Sequence, residues 1–263
     1  MKRIGLILVF LSLSCAPRVI VKGPALYQEE WQEKEIKIPE SSLKNFSGEE
    51  YTYAVKWLGF TVGEIEFHNL GLEKYKGREV CHIVVRAKTN KLLKYLFRVE
   101  DEINSYMDSE TLKPVLLKVK RKEGKYRADY ETYFDYENKK IVHIALLTGE
   151  KKETDLPPDA YGTVSWFYKF RTLDLTAKNY DFTVMQRTKK WLLSIKIVKK
   201  GVLEIRKHGV LNAFLVEVSA QSGKEKAKGQ AWLWFGADKK KPLLLGQFNV
   251  DIPVVGTVIA ALQ

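Results

Sequence analysis

The stretch Asp159 to Leu173, DAYGTVSWFYKFRTL, follows a double proline, Pro157-Pro158, and interrupts a chain that otherwise alternates with a period of two. Two prolines cannot continue a strand ladder, and Asp159 directly after them has the side chain that caps the free amide hydrogens of a first helical turn. The spacing predicts a helix over 159–173. On a 3.6-residue wheel Tyr161, Val164, Phe167 and Tyr168 fall on one side, and Trp166, Phe170 and Leu173 on the opposite side. Only Gly162, Ser165 and Lys169 form a polar stripe. A helix apolar on two sides is expected to be gripped, by sheet on both sides or by sheet and a lid.

The flanking sequence supplies the sheet. Tyr51, Tyr53, Val55 and Trp57 point one way and Thr52, Ala54 and Lys56 the other. Cys81, Ile83, Val85 and Ala87 form the next inner face, and Val115, Leu117 and Val119 another. Tyr126 to Tyr136 and Ile141 to Leu147 alternate in the same way, and about six more such runs follow the helix. Short polar turns between these runs argue an antiparallel meander. The expected fold is therefore mainly β: a single antiparallel, strongly curved sheet or half-open β-barrel, with one central helix packed in its concavity.

The N-terminus reads as a targeting segment. Lys2 and Arg3 precede a short apolar run, Ile4 to Leu13, too short to span a bilayer. Ser12-Leu13-Ser14-Cys15 looks like a bacterial lipobox, with Ser12 where Leu or Val is more usual; the alternative is an ordinary secretory signal with a leftover cysteine. On the lipobox reading, 1–14 is a signal peptide and Cys15 carries the lipids that tie the protein to a membrane. Ala16, rather than Asp, resembles the pattern of lipoproteins bound for the outer membrane. Residues 15–48 then read as a flexible tether, rich in proline, serine and mixed charge, and 49–263 as one β domain. Cys81 is left as a lone thiol in an apolar strand phase, a small buried hydrophobe. The formal charge of +12 is spread over alternating lysines and turns, so a solvated face explains it, with attraction to anionic headgroups as the functional alternative. Nucleic acid is not expected as a partner outside the cytoplasm.

No catalytic signature is present: no G-x-S-x-G, H-E-x-x-H, C-x-x-C or phosphate-binding glycine loop. His68, His82, His143 and His208 stand alone on separate runs, so no metal site and no cofactor are expected. One charge does stand out. Phe97, Val99, Asp101, Ile103 and Ser105 share a face, which puts Asp101 in the apolar phase, where a carboxylate must be paired or neutralised by a raised pKa. Arg171, on the aromatic side of the helix, is the expected partner; an exposed face or a register slip at a bulge is the alternative. The aromatic residues Tyr51, Tyr53, Trp57, Tyr161, Trp166, Phe167 and Phe170 line either a filled core or a pocket for an apolar ligand.

The segment from Gly48 to Gly63, Val99-Glu100-Asp101 with Ser105-Tyr106-Met107-Asp108, Pro158 to Leu173, and Ala231-Trp232-Leu233-Trp234 together resemble the bacterial domain of unknown function 3108, over roughly Gly48 to Leu262. That family's central D-x-x-S-x-x-Y-x-x-R corresponds loosely to Asp159, Ser165, Tyr168 and Arg171, with the serine displaced. The resemblance implies an exported, mostly β protein of the Gram-negative envelope without an established activity, similar in architecture to curved-sheet lipoprotein carriers of the periplasm. The expected function is a non-catalytic, lipid-anchored protein that binds a lipid or acyl chain. A structural or interaction protein with a self-filled interior is the alternative, and an enzyme acting on envelope polysaccharide a third reading.

Overall fold

The computed structural model describes residues 31–39, 46–91, 93–95, 97–205, 207–227, 229–250 and 256–263. The leader at 1–14, Cys15, and the parts of the tether at 15–30 and 40–45 lie outside the described residues.

Seventeen strands and one α-helix are present among the described residues. In chain order the first half comprises β1 (Trp31–Glu33), β2 (Glu50–Trp57), β3 (Phe60–Tyr75), β4 (Arg78–Thr89), β5 (Glu100–Asp108), β6 (Pro114–Glu123), β7 (Tyr126–Asp135), β8 (Lys140–Ala145) and β9 (Glu150–Asp155). Then come β10 (Ala160–Gly162), helix α1 (Ser165–Thr172), β11 (Asn179–Gln186), β12 (Lys189–Ile205) and β13 (Gly209–Ser222). The last elements are β14 (Glu225–Lys226), β15 (Gly229–Gly236), β16 (Leu243–Val250) and β17 (Gly256–Leu262). Two-residue turns with left-handed backbone at both positions, Leu58-Gly59 and Lys76-Gly77, join β2 to β3 and β3 to β4. Their twist matches that of the strands they connect.

All the strands belong to one sheet. Antiparallel neighbours run from β11 through β12, β13, β15 and β16 to β17, and from β2 in sequence order to β9. The two series are joined where β17 pairs with β2, Val258 opposite Trp57 and Leu262 opposite Tyr53. At the other edge β10 lies parallel to β11. The sheet is therefore mixed and not closed into a barrel, which corrects the expectation of a purely antiparallel sheet.

The helix is shorter than its sequence signature. Residues 160–162 are extended, Val164 is the N-cap without a side-chain bond, and Asp159 instead accepts a hydrogen bond from the Thr183 hydroxyl at 3.2 Å. The Pro-Pro-Asp pattern thus ends one edge and starts a short parallel strand. Gly162 lies against Pro114 and donates its amide to Ser165 Oγ at 2.7 Å, so tertiary contacts override the capping signal. Both flanks of α1 are nevertheless buried. Val164 and Tyr168 join a cluster built from β4 to β8, whereas Trp166 and Phe170 join one built from β11, β12, β13 and β15. Phe167 packs against both. Two halves of one sheet that reach the same helix from opposite sides must bend around it.

The tether is not uniform either. β1, inside the span read as flexible, pairs with β12, Trp31 opposite Leu203 and Glu33 opposite Gly201. Gly201 is required there, because a Cβ would overlap the carbonyl oxygen of Gln32. Phe46 is fully buried against Tyr168, ring centroids 5.0 Å apart.

Candidate functional site

The C-terminal turn of α1 delivers Arg171 into the protein interior, where it meets Glu49 and not Asp101. Arg171 Nη1 donates to Glu49 Oε2 at 3.0 Å and Nη2 to Glu49 Oε1 at 2.8 Å, a two-pronged match of guanidinium and carboxylate. Nε donates to the carbonyls of Lys240 and Lys241, both at 3.1 Å, and Nη2 also reaches Lys240 O at 2.9 Å. The β15–β16 loop is shaped for this by Asp238, whose Oδ1 accepts the amides of Lys240 and Lys241. The guanidinium carbon stands 4.4 Å from the Phe46 ring centre and 5.3 Å from that of Tyr168. Burial works against the charge on Arg171, but the bonds to Glu49 and its field outweigh it and hold the pKa above its ordinary value. Tyr51 completes the cluster, its hydroxyl donating to Glu49 Oε1 at 3.3 Å; burial, then the Glu49 charge, pushes its pKa to about 12.

Asp101 is buried, as its strand phase requires, but its neighbours are on β6. Oδ1 accepts the Lys122 amide at 3.1 Å, and the carboxyl group of Glu123 lies beside it. Asp101 is 6% exposed, Glu123 5% and Arg121 7%. Arg121 Nη1 is 3.6 Å from Glu123 Oε1, too long for a hydrogen bond, and Asp101 Oδ2, Glu123 Oε1 and Arg121 Nε have no partner. Two ionised carboxylates cannot bond to each other, whereas one shared proton satisfies both. Burial, followed by the bond to and charge of Asp101, accordingly pushes Glu123 up to about 7, and burial also raises Asp101. The sequence signal for this pair was available: the phase of Leu117 and Val119, continued, turns Arg121 and Glu123 inward. Glu49 carried no such signal, standing before the first residue of β2.

The remaining residues singled out in the sequence fall into two groups. Tyr53, Trp166 and Phe170 are buried in one cluster, with Tyr51, Tyr161 and Phe167 partly buried against it. Trp57 packs in a separate cluster with Val55, Val62 and Val258. Within the larger cluster the rings touch in series: Tyr53 with Phe67 at 5.8 Å, Phe67 with Phe167 at 6.1 Å, Phe167 with Phe235 at 5.7 Å, and Phe235 with Phe214 at 5.6 Å. Tyr53 is anchored by its hydroxyl on the Leu243 carbonyl at 2.9 Å. These contacts join strands from both halves of the sheet to the helix.

Several grooves open on the protein surface. One of about 790 Å³ opens where the chain crosses from β4 to β5; it is lined by Asn90, Lys91, Lys94, Lys120 and Lys122 among others and reaches Asp101, but not Glu123 or Arg121. Among the described residues no three acidic, histidine or cysteine side chains converge to hold a metal. The histidines are dispersed. His82 bonds Asn104 and stacks on Tyr106, His143 bonds Thr132, and His208 meets the Gln263 carbonyl. Cys81 is buried, its thiol directed at Asn69 Oδ1 at 3.4 Å and its pKa pushed up to about 11, mainly by burial.

One large sheet bent about a buried helix defines a class of β-barrel-like proteins. The chain is similar in fold to a solved β-barrel-like protein of domain of unknown function DUF1849 from Brucella abortus, at a TM-score of 0.57 and 7% identity, over 81% of this chain and 94% of that one. The chain belongs to the family described as protein of unknown function DUF3108, whose model matches residues 52–262. Weaker alignments join it to a protein described as exported, with a YmcC-like fold, from Bacteroides fragilis NCTC 9343 (TM-score 0.31, 10% identity, 83% of this chain and 95% of that one). A protein described as a lipoprotein from Parabacteroides distasonis ATCC 8503 aligns similarly (0.32, 10%, 82% and 94%), and at these scores no likeness of fold is read. No curated protein matches the chain.

Proposed function

We propose that this protein is a non-catalytic lipoprotein of the cell envelope, anchored through Cys15 on the periplasmic side, in the outer membrane, and acting through its surface as a structural or interaction protein. The series of ring contacts from Tyr53 through Phe167 to Phe214 supports the reading, because rings packed on one another beside the helix leave less room there for a hydrophobic ligand. The other carboxylates that line the groove reaching Asp101, namely Glu64, Glu100 and Glu102, are each paired with a base (Lys88, Arg98 and Arg86 respectively), which speaks against a free acid and base pair for polysaccharide hydrolysis. A carrier of lipid or acyl chains is the competing reading. Organic extraction of the purified protein followed by mass spectrometry decides between them: no stoichiometric lipid, together with no saturable uptake of a fluorescent fatty acid, is expected. One bound acyl lipid per chain would restore the carrier. The anchor is tested separately by the mass of the N-terminal peptide and by release of Cys15→Ser from the membrane fraction at high salt.

A further inference from the structure

Among the described residues the strand register places the β2–β3 turn, the β4–β5 crossing, the β6–β7 turn, the β8–β9 loop, the β11–β12 turn and the β13–β14 turn at one end of the sheet. The first three are physically joined. Asn90 donates its amide to Val62 O at 2.9 Å and its side-chain amide to Thr61 O at 2.6 Å, which ties the crossing to the hairpin. Phe97 lies over the β6–β7 turn, where a Cβ on Gly124 would come within 3.0 Å of its ring.

This end is apolar at its tips and basic between them. Leu58 is 71% exposed, Phe60 76% and Tyr95 91%, and Phe97, Leu146 and Leu147 are exposed beside them. Lys56, Lys91 and Lys125 stand among these tips, and no ion pair with a carboxylate is formed by any of the three within the described residues. Lys94 and Arg98 share the single acid Glu100. Ion pairs form at both ends, Lys152 with Glu150 and Lys189 with Glu225 here and Arg78 with Glu137 and Lys140 with Asp155 at the opposite end, but the exposed large apolar residues at the opposite end are fewer: Leu70, Leu72 and Val210. Leu58 holds a left-handed turn position, φ +49°, with its side chain turned to solvent.

We propose that this end of the sheet docks on an anionic lipid surface, with Leu58, Phe60 and Tyr95 entering the headgroup layer and Lys56, Lys91, Lys94 and Lys125 meeting its phosphates. Separate apolar tips interspersed with unpaired lysines fit a fluid, negatively charged layer, because neither demands a fixed partner geometry. The contact is distinct from the lipid anchor at Cys15 and does not depend on whether the interior holds a ligand.

Vesicle flotation tests it, using the full chain with Cys15→Ser so that no acyl chain contributes and residues 1–14 are common to every variant. Vesicles of phosphatidylcholine alone are compared with vesicles containing phosphatidylglycerol. Binding to the anionic vesicles is expected to be at least about tenfold stronger and to fade at high salt, as charge-driven contact requires. Lys91→Glu, Lys94→Glu and Lys125→Glu combined should abolish that preference. The same charge change at the opposite end, Lys74→Glu, Lys113→Glu and Lys207→Glu combined, should leave it. Leu58→Ser with Phe60→Ser, both at exposed positions, should weaken binding several-fold and remove the salt-resistant remainder while leaving the unfolding midpoint within a few degrees of the parent. Equal binding to both vesicle types, no binding to either, or equal loss from the two lysine triplets would each overturn the proposal.

Discussion

Arg171 and Asp101 are both charged residues turned into the protein, yet their surroundings are opposite in kind. Around Arg171 every guanidinium nitrogen donates, the two oxygens of Glu49 each accept, and aromatic rings flank the charge. Around Asp101 two carboxyls and a guanidinium are buried together with three polar atoms unmatched. The first cluster is a latch that joins the helix end, the residue before β2 and the β15–β16 loop. The second is complete only when it holds a proton. Burial alone therefore does not define the role of an ionisable group; the count of satisfied bonds does.

The sharpest way to break the contrast is Arg171→Met. It leaves Glu49 buried and unpaired and is expected to cost about 3–5 kcal/mol of stability in denaturant unfolding. Glu49→Gln in the same chain should recover part of that loss, and an additive result would show that the two do not form a unit. Phe167→Asp, which places a charge where the two clusters meet at the helix, should cost about 3 kcal/mol or more.

A smaller effect separates the second cluster. Folding raises the Glu123 pKa from 4.5 to about 7, so between those values the folded state binds the proton that the unfolded chain has released. The stabilisation is full below pH 4.5 and is lost as pH rises through 7. His143, lowered to about 4 chiefly by burial, acts in the opposite sense, losing stability as pH falls below 6.5. The difference between the wild type and Glu123→Gln isolates the carboxyl pair: wild-type stability should fall relative to the variant from pH 5 to 8, and a constant difference would reject the shared proton. Asp101→Asn and Arg171→Met should be additive within about 0.5 kcal/mol, since the two residues sit in different clusters. Smallest of all, Lys169→Asp on the partly exposed stripe should change stability by no more than about 0.5 kcal/mol.

Much of this contrast was written in local pattern. Alternation located the strands, the wheel put Trp166 and Tyr168 on opposite buried flanks, and the phase of Val99 and Ile103 turned Asp101 inward. What periodicity cannot carry is a partner. Glu49 lies 122 residues from Arg171 and precedes any alternating run, so its role exists only once the helix end reaches the β15–β16 loop. The parallel strand β10 was illegible for a related reason. Three residues carry almost no periodic signal, and Pro-Pro-Asp is a capping signature that packing against Pro114 and β11 overrules.

The pairing of β17 with β2 has a consequence for how the chain reaches this state. The partners Tyr53 and Leu262 are separated by roughly 200 residues, so the loop that closes between them is among the longest the chain can form, and its entropy is lost before the contact returns anything. Until β17 arrives, β2 and β16 each present a bare row of amides and carbonyls along one side. The docking of β17 thus covers both rows at once, and the interval before it docks leaves those two strands open to pairing with a neighbouring molecule.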